Sequence, residues 1–296
     1  MKPSQLPLVS IVIPHRGSDE PLKLCVEALR EQTYPASRIE ILIVINEPVR
    51  RKPNFELKSN EKALWQQTHH SYAARNRGIE ASTSPIIALT DSDTTADSNW
   101  IANGVQSLER GHDMVAGRIA LTFRQQPLTP AACYEKLFAF DQEKNVKFGR
   151  AVTANLMVRR TTFISHGLFD AFSESGEDFA WTGQATAGGS RLVFAPDVSV
   201  SHPARETFSE IFAKANRVSV GFESKKPPLL RIRSALSRYG SLYLTPPSRD
   251  KQKTALAREK VLGYATAIFI QAAKLLFFVT SGLARKKPQP IRSFEK

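Results

Sequence analysis

The chain of 296 residues is 42% hydrophobic and 23% charged and has two cysteines, enough apolar material for one large domain with a full core, which excludes both wholesale disorder and a disulfide scaffold. Its net charge of +13 is unevenly placed: residues 1–202 hold 22 Lys or Arg against 22 Asp or Glu, and residues 203–296 hold 19 against 6. A neutral domain, residues 1–203, is therefore expected to carry a basic tail, residues 204–296, whose excess charge asks for an anionic partner, either a membrane surface or nucleic acid.

Met1 to Pro7 has no signal-peptide pattern, and the apolar run Leu8 to Ile13 is too short for one and ends in Pro14-His15-Arg16, so the amino-terminal part is expected to stay inside the cell. Leu8 to Ile13 reads instead as a buried strand. Leu22, Cys25, Val26 and Leu29 then place an apolar stripe on a helix, with Cys25 packed and reduced. Ile39 to Ile45, aliphatic and largely β-branched, is a second strand. Strand, helix, strand in that order needs a crossover connection, which predicts a mostly parallel sheet and an α/β fold. After a polar connection from Glu47 to Asn60, residues 61–83 carry a helical pattern.

Ile86 to Leu89 cannot alternate between inside and outside, so it is expected as a strand buried on both faces, and it ends abruptly in Asp91 and Asp93. In open α/β sheets ligands bind beyond the carboxyl ends of the strands, where two acids can hold a divalent cation against a phosphate. The same Asp-Ser-Asp triplet also suits a turn or a helix cap. Asn99 to Arg110 reads as a helix, Met114 to Ile119 as a strand, and Ala154 to Val158 as a short strand followed by a helix from Thr161 to His166. Ser173 to Asp178 has the pattern of a loop entering a helix that stops near Gly188-Gly189. Arg191 to His202 forms one or two strands interrupted at Pro196-Asp197.

Several of these segments carry motifs in a fixed order: Val9 to Pro14, Ala74 to Ile79 with Arg75 and Asn76, Leu89 to Asp93, Trp100, Ala154-Asn155 with Phe169-Asp170, Gly176-Glu177-Asp178, and Pro196 to His202. Together they resemble the family 2 inverting glycosyltransferases, nucleotide-sugar enzymes of the GT-A fold, over residues 8–202. The chain departs from the family's pattern at His15-Arg16-Gly17 after the first strand, at Asn46-Glu47-Pro48 after the second, and at Gln184, where an arginine is common.

The resemblance implies a nucleotide-sugar donor bound by Pro14, Arg75, Asn76, Asp91 and Asp93. It implies Mg²⁺ or Mn²⁺ on Asp93, with His202 as a further ligand whose imidazole favours Mn²⁺. Asp178 becomes the base that deprotonates the acceptor hydroxyl, kept ionised by its helix amino-terminus, Asn155 becomes an acceptor-side residue, and Glu177 orients the acceptor or the loop. The acceptor is a polysaccharide or a lipid-linked glycan. Each assignment has a plainer counterpart: a solvent-facing His202, a solvated helical face at Arg75 and Asn76, and simple helix capping at Asp178.

The tail begins with a helix from Glu206 to Val220, broken at Lys225-Lys226-Pro227-Pro228. Leu229, Ile232, Leu236, Tyr239 and Tyr243 recur at helical spacing among arginines, the pattern of a basic helix on a membrane surface. Val261 to Leu283 is long enough to span a bilayer, yet Lys260, Tyr264, Gln271 and Lys274 form a polar stripe along it, which favours an in-plane or re-entrant segment over a single span. Attachment to the cytoplasmic face of a membrane is the expectation. A sugar-nucleotide nucleotidyltransferase and a non-catalytic nucleic-acid binder are the alternatives. The first lacks a Gly-rich basic loop after the first strand, and the tail's aliphatic runs argue against the second.

Overall fold

Runs of aliphatic residues that bury both faces build the centre of the molecule. The computed structural model describes residues 6–68, 70–223 and 246–283. In chain order, β1 (Val9–His15) leads through α1 (Asp19–Arg30) to β2 (Ile39–Asn46), then to β3 (Glu61–Gln66), α2 (Ser71–Ala81), β4 (Ile86–Thr90), the short β5 (Thr95–Ala96), α3 (Trp100–Glu109) and β6 (Met114–Thr122). Next come α4 (Pro130–Phe138), α5 (Gln142–Lys147), β7 (Asn155–Arg159), α6 (Arg160–His166), α7 (Glu177–Ala187) and β8 (Leu192–Pro203). The tail contributes α8 (Phe208–Glu223), α9 (Arg249–Thr254) and α10 (Ala257–Leu283).

The described residues form one eight-stranded sheet in the order β3-β2-β1-β4-β7-β6-β8-β5. β1 pairs in parallel with β2 and β4, β2 with β3, and β6 with β8; β7 runs antiparallel to both β4 and β6. Alternate residues feed two cores. Ile11, Ile13, Ile41, Ile43, Ile86 and Ala88 join the α1 and α3 side, and Val12, Leu42, Val44, Ile87 and Leu89 the α2, α6 and α7 side. Two-sided burial is why these strands read as continuous apolar runs.

One segment folds against its local preference. Residues 61–83 divide into an edge strand, β3, and the helix α2, instead of forming one helical stretch. Glu61 is buried and accepts hydrogen bonds from Arg30 Nε and Nη2, both at 2.8 Å, and from the Lys58 N–H at 3.0 Å. That anchor and the pairing with Ile41 to Asn46 override the helix propensity of Glu-Lys-Ala-Leu. Pro196 and Asp197 do not split the last strand. The register between β6 and β8 jumps from Gly117 opposite Ala195 to Arg118 opposite Ser199, so the extra residues bulge inside a single strand. Gly117 is required there, because a Cβ would collide with the Val198 carbonyl and the Asn155 amide.

The described part of the tail packs on the domain. Gly263 of α10 lies against Leu137 and the Cys133 carbonyl of α4, Glu259 pairs with Lys136 at 2.6 Å, and Tyr264 meets Phe138 edge-on. The basic segment 229–243 and the break at 225–228 lie outside the described residues. Among the described residues, no helix is long and apolar enough to cross a membrane.

Candidate active site

The carboxyl ends of β1, β2 and β4 open into a cavity of about 940 Å³, closed on the far side by residues 137–141, 144–145, 152–154, 174–176 and 178–179. Pro14, His15 and Asn46 come from the first two strand ends, Asp91 and Asp93 from the third, and His202 from the end of β8. One ligand atom each from Asp91, Asp93 and His202 lies within 4.8 Å of the others. His202 is buried, not solvent-facing: Phe140 packs on its ring at 4.6 Å, and Nε2 lies 3.5 Å from Asp93 Oδ1. Its Nδ1 is 2.7 Å from the Pro203 carbonyl, which can only accept, so Nδ1 donates there and Nε2 is the nitrogen that faces the carboxylates. Partial withdrawal from water pushes Asp93 above the ordinary carboxylate range. His202 opposes that rise, and Asp91 adds to it. Two carboxylates and one imidazole nitrogen are a donor set that fits Mn²⁺ or Mg²⁺, with coordination positions left for phosphate oxygens and water.

Arg75 sits on α2 behind this cluster, 5% exposed, with Nη2 on Asp91 Oδ1 and a buried Nε that has no hydrogen-bond partner. A solvated helical face is thereby excluded: Tyr72 to Asn76, Gly78 and Ile79 are all buried, and Gly78 packs so closely on Val12 that no side chain fits. The same burial removes Asn76 from the donor-binding set. Its Nδ2 donates to the Phe169 carbonyl at 2.8 Å and its Oδ1 accepts from the Phe169 N–H at 3.1 Å, so the amide is spent holding the 167–176 loop to α2.

Asp178 is where the sequence puts it, in the first turn of α7 and on the cavity wall. Its Oδ1 accepts from the Phe179 N–H at 2.9 Å and from the Tyr72 hydroxyl at 3.2 Å. The expectation that the helix terminus governs its protonation is reversed. Burial is the largest influence and pushes the carboxyl up, beyond what the Phe179 N–H, Arg75 and Tyr72 draw back; Asp91 adds to the rise. A carboxylate made more basic in this way suits general-base work.

Asn155, expected on the acceptor side, holds the frame instead, and Glu177 takes the loop-orienting alternative. Asn155 is fully buried, donates to the carbonyls of Arg118 at 2.7 Å and Val198 at 2.9 Å, and accepts from Trp100 Nε1 at 2.9 Å, so no polar atom is left for a ligand. Glu177 accepts from the Asp170 N–H at 3.0 Å and from the Ser173 hydroxyl at 3.2 Å, which shapes the loop ahead of Asp178.

Some site residues escaped the sequence reading. His15 Nε2 bonds Asp19 at 2.9 Å, and Arg51 ties Asp19 to Glu47. His15 Nδ1 and Asn46 Oδ1 are buried without partners, and both residues line the cavity. At the opposite end the buried Glu135 holds Arg205 at 3.0 Å and Lys214 at 3.9 Å, and both cations lie over the Phe140 ring. Thr129-Pro130, an N-cap followed by proline, marked the start of α4; the Thr129 hydroxyl accepts from the Ala132 N–H at 3.0 Å.

The family model described as glycosyl transferase family 2 matches residues 10–164. Glycosyltransferase AglE of Haloferax volcanii is 34% identical over 226 residues, which cover 74% of this chain and 74% of that protein. The putative glycosyltransferase EpsH of Bacillus subtilis is 27% identical over 124 residues, 40% of this chain and 36% of its own length. Among solved structures, the mannosyltransferase PcManGT from Pyrobaculum calidifontis, in complex with GDP-Man and Mn²⁺, matches with a TM-score of 0.55 at 15% identity, over 97% of this chain and 78% of that one. That likeness is one of fold.

Proposed function

The chain belongs to glycosyl transferase family 2 and is a glycosyltransferase of the GT-A fold, and from that premise we propose that it is metal-dependent and transfers a sugar with inversion from a nucleoside diphosphate to a hydroxyl of a lipid-linked or polysaccharide acceptor. One observation carries the reading: the Asp91, Asp93 and His202 cluster and the Asp178 carboxylate line the same cavity. Asp93, Asp91 and His202 would hold the cation, whose charge offsets that of the departing diphosphate. Arg75 fixes Asp91, and its guanidinium charge stands behind the cluster that would receive the diphosphate. The nucleoside lies at the other end, where His15 Nδ1 and Asn46 Oδ1 lack partners that a base or ribose can supply.

In the transfer step the acceptor oxygen attacks the anomeric carbon from the face opposite the diphosphate, and Asp178 takes the hydroxyl proton as the bond to the diphosphate breaks. A positioned base of this kind is worth about 10² to 10⁴ in rate. Glu177 and Asn76 support the step by fixing the loop that carries Asp178. The nucleotidyltransferase and non-catalytic readings lose their footing with the family established.

Membrane association is the second part of the reading, and α10 supports it. Its protein-facing side includes Glu259 and Gly263, while Val261 at 69% and Ile268 at 47% exposure form a short apolar stripe on the other side, and the Phe269 ring packs on Phe208 and Phe212 of α8. With the basic excess of the tail, that stripe suits peripheral attachment to an anionic lipid surface. The neighbour's GDP-Man and Mn²⁺ make guanosine diphosphate and Mn²⁺ sensible first probes, with uridine diphosphate beside them.

Thermal denaturation with each diphosphate, with and without Mn²⁺, tests the donor half of the reading. One diphosphate should raise the midpoint in the presence of the metal and lose most of that effect in EDTA. Metal-independent stabilisation, or none by any nucleoside diphosphate, overturns it.

A further inference from the structure

Asp178 reaches the cavity from a loop and a first helical turn, a placement that alone leaves a carboxylate free to rotate. Both protein contacts fall on one of its oxygens. Oδ1 accepts from its own helix at the Phe179 N–H, and from the Tyr72 hydroxyl 106 residues earlier in the chain. Among the described residues, Oδ2 has no partner. A carboxylate gripped at Oδ1 by two donors holds Oδ2 in one direction.

Tyr72 is itself well braced. Its ring lies 5.7 Å from that of Phe169, which packs on Trp181 at 5.2 Å and Phe163 at 5.8 Å, and Trp181 belongs to α7, less than one turn beyond Asp178. Three residues further along α2, the Arg75 guanidinium stands 5.6 Å over the Tyr72 ring and is tied to Asp91. Tyr72 is 5% exposed, and burial raises its phenol well above the ordinary tyrosine value, so the hydroxyl remains a donor throughout the working range.

Resting on the reading of Asp178 as the base, we propose that Tyr72 is the positioning residue of this enzyme: its hydroxyl occupies Asp178 Oδ1, aims Oδ2 at the acceptor hydroxyl, and connects the base through Arg75 to the donor-side carboxylate Asp91. The connection runs Asp91, Arg75, Tyr72, Asp178 and crosses the cavity from β4 to α7 along one face of α2. Donor and acceptor sides thus share a brace that no single motif contains. The groups facing the Asp178 carboxyl are Tyr72 and Arg75 from α2, Asp91 from the end of β4 and the Phe179 N–H from α7.

A hydroxyl that donates to a carboxylate favours its ionised form, so its loss must move the titration of that carboxyl upward. Tyr72→Phe keeps the ring and its aromatic contacts and removes only the donor. The test is an infrared pH titration of the full-length protein, reading the protonated carboxyl band of Asp178 as the difference between wild type and Asp178→Asn. Hydrogen bonds to charged groups lead us to expect an upward shift of about one pH unit in Tyr72→Phe. In transfer assays the same variant should show a lower kcat with donor KM within about twofold, because Tyr72 acts through the base. An unchanged titration midpoint in Tyr72→Phe overturns the proposal, since a purely packing role leaves it in place. Full transfer by Asp178→Asn instead overturns the base assignment itself, and the two failures are read from different variants.

Discussion

The two halves of the sheet use their polar residues in opposite ways. In the half made of β1 to β4 the strands are parallel, so the residues that follow each apolar run, Pro14, His15, Asn46, Asp91 and Asp93, come out together on the cavity. In the half made of β6, β7 and β8 strand direction is mixed. β7 begins at the cavity instead of ending there, and its first residue, Asn155, turns into the sheet to join β6, β8 and α3. From that half the cavity receives His202, at the end of β8, and it receives Asp178 from the first turn of α7. Strand direction therefore decides whether a polar residue at a strand terminus meets a ligand or holds the frame.

The sharpest break of this comparison is at Asp93. Asp93→Ala removes a carboxylate from the cluster with Asp91 and His202 and leaves the fold's ladder bonds untouched, so turnover should vanish along with Mn²⁺-dependent diphosphate binding. Calorimetric titration of the diphosphate with and without EDTA measures it. Binding that ignores both the metal and the substitution removes Asp93 from the donor half's chemistry.

Asp178→Asn comes next, at the residue of the first turn of α7 proposed above as the base. The amide is isosteric and cannot take a proton, so kcat should fall by about two orders of magnitude or more while donor affinity stays nearly unchanged. Equal loss of both marks Asp178 as a helix cap. The wild-type pH profile gives a second check. With Asp178 as the proposed base, activity should require the ionised carboxylate, and burial raises its titration, so activity should be full above the raised value and fall as pH drops through it. The acid limb should therefore lie above the ordinary carboxylate range, and a limb within that range contradicts the assignment.

Asn155→Ala probes the frame. It leaves the Trp100 indole N–H and the carbonyls of Arg118 and Val198 unpaired in the interior, where each lost partner costs roughly 1 to 3 kcal/mol. A loss of about 3 kcal/mol in unfolding free energy is expected, with donor affinity of the folded protein unchanged. Weak donor binding in a protein of full stability reverses the distinction between the two halves at this residue.

Local pattern carried most of the parallel half. The both-face strands, the stripe on α1, and Asp91 and Asp93 beyond β4 all declare themselves within a few residues. What stayed hidden depends on partners far along the chain. β3 reads as helix because its strand state is fixed by Arg30 and β2. Asn76 and Asn155 look like ligand-facing amides because the backbone groups they satisfy lie 93 and between 37 and 43 residues away. The family motif located both amides correctly in sequence and said nothing of which way they face. Tyr72 carried no signal at all, since its hydroxyl acquires meaning only when α7 closes over α2.

The smallest effect concerns the tail, where the same contrast between frame and contact surface reappears within one helix. Removing the whole tail is a poor test, because α10 packs on α4 through Gly263 and pairs Glu259 with Lys136, and its loss would expose that interface. Substitution on the outer stripe avoids this: Val261→Ser and Ile268→Ser alter side chains 69% and 47% exposed. Transfer of one such side chain into lipid is worth about 1.5 to 3 kcal/mol when fully buried, and partial insertion yields less, so the pair should weaken sedimentation with anionic liposomes roughly tenfold. Salt sharpens the reading. The electrostatic share, about 1 kcal/mol per basic residue near the surface, weakens as ionic strength rises, while the contribution of the stripe persists. Binding by wild type that survives high salt and drops in the double variant assigns the stripe to the membrane. Binding released by salt alone and indifferent to the substitutions assigns it to the basic residues and leaves the stripe without that role.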